Sequence, residues 1–136
     1  MKRGLIGFFV TLCLCLSAQP PRGFYRTIGG SGDDVGYSCK ITLEGHYIVA
    51  GSTSSFGNNT DFYLVKVDSM GNTLWEKTYG GNGNEVARSV IQLQDSSFVV
   101  AGYTSSFGAG GYDIWVLRTD KKGNKIWDKT FGNSDR

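Results

Sequence analysis

The chain has one histidine, two prolines and three cysteines in 136 residues, and neither charge dominates it. With His46 alone, neither a histidine-based catalytic dyad nor a histidine-rich metal site can be assembled. Lys and Arg number 14, but Lys2 and Arg3 belong to a segment expected to be removed, which leaves 12 against 12 acidic residues. A near-neutral chain lacks the basic face that nucleic-acid binding needs, so no nucleic-acid partner is expected. No segment carries a helical apolar period over ten or more residues, so helix content should be very low. No Asp-x-Asp-x-Asp-Gly loop is present for calcium, and no metal or cofactor is expected. Gly29-Gly30-Ser31-Gly32 lacks the Gly-Lys-Ser/Thr ending of a phosphate loop. No catalytic constellation emerges, and the segment is read as non-enzymatic.

What is present begins with an address. Lys2 and Arg3 precede a 12-residue apolar run, Leu5 to Leu16, followed by Ser17-Ala18-Gln19. This is the layout of a secretory signal peptide over residues 1–18, cleaved after Ala18, and it predicts an exported protein: extracellular, cell-surface or periplasmic. The run is well short of the roughly 20 apolar residues of a membrane helix, so no transmembrane segment is expected in the mature chain. Cys13 and Cys15 lie inside the run and follow Leu12 and Leu14, where a lipoprotein would carry a small residue. Cys39 is then the one mature cysteine, and no disulfide framework exists. Its repeat counterpart is Val90, which predicts a buried thiol acting as a small apolar side chain.

The mature segment, 19–136, reads itself twice. Residues 27–77 align with 78–129 with one insertion near Tyr112, identical at 20 of 51 positions, and 130–136 begin a third copy. A period of 51 to 52 residues lies in the range of propeller blades. Turn residues divide the first copy into four strand candidates, Tyr37–Leu43, His46–Ser52, Phe62–Asp68 and Thr73–Tyr79. In the third, Phe62 and Leu64 oppose Tyr63, Val65 and Val67; in the second copy Ile114 and Val116 oppose Trp115 and Leu117. Strands apolar on both faces require a sheet sandwiched between two others. Ala50-Gly51 and Ala101-Gly102 suit crowding near a central axis. The fold class is therefore all-β, with two complete four-stranded antiparallel repeats of the β-propeller blade type.

Each fourth strand follows an Asp-x-x-Gly-Asn-x-x-Trp hairpin, Asp68…Gly71-Asn72…Trp75 and Asp120…Gly123-Asn124…Trp127. Here the chain resembles the tryptophan-bearing propeller repeats of the quinoprotein type. It is more closely similar to the tandem "GGSGDD…YIVAGYTSSFG…D..GN..W.K" repeats of large secreted bacterial proteins, which often end in a type IX sorting domain. The resemblance runs from Phe24 to Arg136 and implies a surface-associated β-propeller. This chain departs from that pattern in having two complete copies and no sorting domain. Gly23–Thr27 aligns with Leu74–Thr78, so the mature chain opens with an orphan fourth strand carrying Phe24 in the Trp75 position. That predicts the front end of an incomplete propeller of roughly six to eight blades.

Alternating strand direction brings Gly29–Asp34 and Gly80–Glu85 to one rim with Ser54–Thr60 and Ser105–Gly111. Asp33, Asp34, Asn84 and Glu85 are the candidate binding residues there; the stronger reading of the same positions is a turn capped by side chains. Thr53–Gly57 recurs unchanged as Thr104–Gly108, with Phe as a plug, and His46 is expected to be a solvated turn residue. Asn58-Asn59-Thr60 is a formal glycosylation sequon. The function expected is a binding or structural scaffold for a protein or glycan partner, with self-association through exposed blade edges as a third possibility. The rival is the N-terminal part of a larger propeller enzyme, quinoprotein-like or glycan-processing, with its chemistry in other blades.

Overall fold

Each repeat folds into one four-stranded antiparallel sheet with strands in sequence order. The computed structural model describes residues 23–134; the expected leader, and Asp135 and Arg136 of the third copy, lie outside the described residues. The first sheet is β1 (Asp34–Ile41), β2 (Tyr47–Thr53), β3 (Asp61–Val67) and β4 (Thr73–Tyr79). The second is β5 (Glu85–Gln92), β6 (Phe98–Thr104), β7 (Asp113–Thr119) and β8 (Lys125–Phe131). No helix occurs among the described residues, and so no helix long and apolar enough to cross a membrane.

β4 matches its expected span, and β2 and β3 are displaced by one residue. β1 begins three residues earlier than expected. A bulge between Gly36 and Ser38 leaves Tyr37 unpaired, and pairing then resumes as far as Asp34 opposite Thr53. β1 stops at Ile41 because Thr42 starts the hairpin: its N–H donates to His46 O (2.8 Å) and its carbonyl accepts from Gly45 N (2.9 Å). The same bulge recurs between Ala87 and Ser89. It also explains Gly51 and Gly102. A Cβ on either would overlap the carbonyl oxygen of the bulged neighbouring strand, Val35 or Val86. The crowding at Gly51 thus arises within its sheet, and at Gly102 also from the Phe62 ring of the other sheet.

Side chains alternate across each strand, so each sheet has two faces. Ile48, Ala50, Phe62 and Leu64 of the first sheet pack against Ala87, Val90, Phe98, Val100, Trp115 and Leu117 of the second. Phe62 is the knob of this contact: its ring lies 4.6 Å from that of Trp115 and touches the bare Cα of Gly102. The β4 residues Trp75 and Tyr79 close its outer edge, Trp75 meeting Phe98 edge-on at 5.9 Å. Lys66 lies on the same face, with Nζ 5.9 Å from the Phe98 ring and 3.5 Å from Glu44.

The hairpins before β4 and β8 are built alike. Asp68 accepts from Met70 N (2.8 Å) and Asn72 N (2.9 Å), and Asp120 from Lys122 N and Asn124 N at the same distances. Gly71 and Gly123 take φ of +82° and +81°, which side chains resist.

Candidate functional site: the turn-bearing rim

The polar turns before β1 and β5 meet the loops after β2 and β6 at one end of the molecule, as strand alternation requires. In the first sheet Ser54 and Ser55 hold the glycine turn: Ser55 Oγ accepts from Gly32 N (2.9 Å) and Ser54 Oγ from Asp33 N (2.8 Å). Asp34 occupies the first position of β1, beneath the turn. Its carboxylate accepts from Gly30 N (2.9 Å), Ser55 Oγ (2.7 Å) and Thr53 Oγ1. The Thr53 bond leads the causes that hold the Asp34 carboxyl below its usual range.

The second sheet repeats the arrangement one methylene longer. Glu85, with no exposed surface, accepts from Gly81 N (2.9 Å), Thr104 Oγ1 (2.7 Å) and Ser106 N (3.2 Å). Asn84 joins the two sheets: its Oδ1 accepts from Thr60 N (3.2 Å), beside a Glu85 N to Thr60 O bond of 2.7 Å. Asn59 adds a third link, donating to Asn82 O (2.7 Å).

Of the four sequence candidates, Asp34, Glu85 and Asn84 are thus engaged in tying turns down. The Asp33 side chain alone is exposed with no hydrogen bond or ion pair among the described residues. Asp61 sits close by, at the start of β3, and burial followed by the charge of Glu85 raises its carboxyl above the usual range. A Cβ on Gly80 would meet both carboxylates, which places them side by side at the junction of the two sheets. Asp113, the repeat mate of Asp61, accepts from Ala109 N (2.7 Å), while Asp61 has no such bond among the described residues. Among the described residues no group of three or more His, Cys, Asp or Glu side chains is placed to hold a metal ion.

Four side chains stand differently from their sequence reading. Cys39 is exposed, not buried, because its face of β1 has no sheet against it, whereas Val90 is fully covered by the first sheet. His46 is half-buried and its Nδ1 is shielded with no hydrogen-bond partner among the described residues, so it is not a freely solvated turn residue. The recurrent loop phenylalanines lean on β3 and β7, Phe56 on Tyr63 (5.6 Å) and Phe107 on Trp115 (5.2 Å), and stay partly exposed. One pairing was beyond the reach of sequence reasoning. Arg88 and Tyr37, which break the repeat at its bulge, stack on each other at 4.4 Å.

No family model and no curated protein matches the chain.

Proposed function

We propose that the chain is a segment of an exported β-propeller, displayed outside the cell or at its surface, and that it acts as a binding or structural scaffold without chemistry of its own. The observation that carries this reading is the face-to-face stacking of two equivalent sheets, each apolar on both sides. Radial stacking of blades is the architecture that uses such sheets repeatedly. The rim supports the scaffold role. Asp34 and Glu85 are spent on holding glycine turns in shape, which gives a tied-down platform with the Asp33 carboxylate exposed on top. A polar, turn-rich rim suits a glycan or protein surface whose hydroxyls and amides it can hydrogen-bond.

Binding to polysaccharide and protein arrays tests this, with Asp33→Ala in parallel. A partner bound by the parent chain and weakened by the substitution supports rim recognition. Binding indifferent to the rim, or turnover of a bound glycan, would overturn it. Recovery of the chain in the cytoplasm rather than in an exported fraction would overturn the address.

A further inference from the structure

The stack ends in two faces with no sheet against them, the second sheet's open at Ile114 and the first sheet's buried at Tyr63, Val65 and Val67 with Ile28 packed there, and the repeat makes them the two halves of the contact already formed inside the chain. On the second sheet, Val99, Ala101, Ile114 and Val116 stand where Ile48, Ala50, Phe62 and Leu64 stand on the first. There Ile114 is 56% exposed, where Phe62 has no exposed surface. On the first sheet, Tyr47, Val49, Tyr63 and Val65 stand where Phe98, Val100, Trp115 and Leu117 stand on the second.

The first sheet also has a hole where the second is filled. A cleft of about 80 Å³ is lined by Gly36, Val49, Gly51, Tyr63 and Val65, with Ile28 at its edge. The equivalent positions, Ala87, Val100, Gly102, Trp115 and Leu117, surround the Phe62 ring. The cleft is the empty counterpart of the Phe62 socket, and Ile114 is the counterpart of the knob. Arg118, paired with Asp95 at 2.6 Å, likewise repeats Lys66, and would lie over Tyr47 as Lys66 lies over Phe98.

We infer that a second copy of this chain docks head to tail on the first sheet, with its Ile114 in the cleft bounded by Gly51 and Tyr63. The contact continues the sheet-on-sheet interface by faces, not by strand edges. Being heterologous, it leads to a ring if the rotation closes and to a filament if it does not.

Residues 23–28 compete for the place. Phe24 meets Tyr47 edge-on at 6.0 Å and lies over Gly71, as Trp75 meets Phe98 and lies over Gly123. Ile28 packs on the Tyr63 cluster as Tyr79 packs on its own. Trp127 and Phe131 of the incoming copy take those two positions, so the 23–28 segment lifts off as the copy seats. The inference does not depend on what the rim binds.

Sedimentation velocity of protein purified from expression of the full chain, over a roughly hundredfold concentration range, tests it. Expected is concentration-dependent association that Ile114→Arg weakens by at least about tenfold and Phe24→Ala strengthens. Ile114 is exposed in the single chain, so the arginine leaves the fold intact, as circular dichroism checks. A crosslink supplies the register. Ser38 Oγ lies 3.4 Å from Val90 N, so the equivalent Ser89 of one copy should lie beside Cys39 of the next. Ser89→Cys should therefore give an intermolecular disulfide ladder that Cys39→Ser abolishes. A monomer at every concentration would overturn the inference, and further repeats of a longer chain would then be the natural cover of both faces. So would association unaffected by Ile114→Arg with no ladder, which would indicate pairing by edges.

Discussion

The two sheets have the same strand order, bulge and hairpins, yet their first strands live in different surroundings. β5 buries Glu85, Val86, Ala87 and Val90, whereas β1 leaves Val35, Gly36 and Cys39 exposed. The cause is a neighbour. β5 lies against the first sheet, β1 included, whereas the face of β1 that carries Cys39 has no sheet against it. Burial in a repeat is thus a property of position in the stack, and the same residue pattern yields a core strand or a surface strand.

The sharpest way to break the comparison is to place a charge at equivalent positions. Val90→Asp buries an unpaired carboxylate and should cost more than about 4 kcal/mol, or prevent folding. Cys39→Asp should cost less than about 0.5 kcal/mol, since water reaches that side chain. Urea unfolding of both variants checks this, and equal losses would show that β1 is covered. Next comes tryptophan. Trp115→Ala removes the ring that Phe62 packs on and the Nε1–H bond to Asp128 (3.0 Å), and should cost about 3–5 kcal/mol. Trp127→Ala should cost under about 1 kcal/mol, because that ring is 39% exposed.

The rim carboxylates give a smaller contrast. Glu85→Ala leaves Gly81 N and Thr104 Oγ1 without their acceptor inside the protein, while Ser106 N keeps its bond to Thr104 Oγ1 (2.9 Å), at about 2 kcal/mol. Asp34→Ala makes the same cut where water can substitute, so its loss of midpoint in the same titration should be visibly smaller.

The smallest effect is electrostatic and has the opposite sign. Asp61 holds its proton more tightly folded than unfolded, because it is desolvated and beside Glu85. Its ionised form therefore costs stability at neutral pH, and the cost fades as the pH falls through the raised value toward the unfolded one near 4. Asp61→Asn should raise Tm by about 1–3 °C at pH 7, with the gain vanishing near pH 4. Asp34 runs the other way: its depressed value contributes stability above the unfolded range that is lost on further acidification. A gain for Asp61→Asn that persisted at low pH would mean the junction gains from packing rather than from charge.

Much of this was legible in the residues. Apolar alternation on both sides of the third strand separated Phe62 and Leu64 from Tyr63 and Val65, and the structure uses those two faces separately. The Asp-to-Gly hairpin was readable because its hydrogen bonds are local, each closing within four residues. The start of β1 was not, because the bulge that extends it to Asp34 depends on how the next strand pairs. The capping of its own glycine turn by Glu85 was the stronger reading of that position, but its reach to the loop 21 residues further on was not legible.

Sequence alone determined the unit: four strands, their turns and two apolar faces, all set by short-range alternation and by turn chemistry. Tertiary structure alone decided which copy of each residue is interior. Cys39 and Val90 hold equivalent places in the same pattern, yet only Val90 has a sheet packed against it. Periodicity says which way a side chain points; what it meets there depends on another part of the fold.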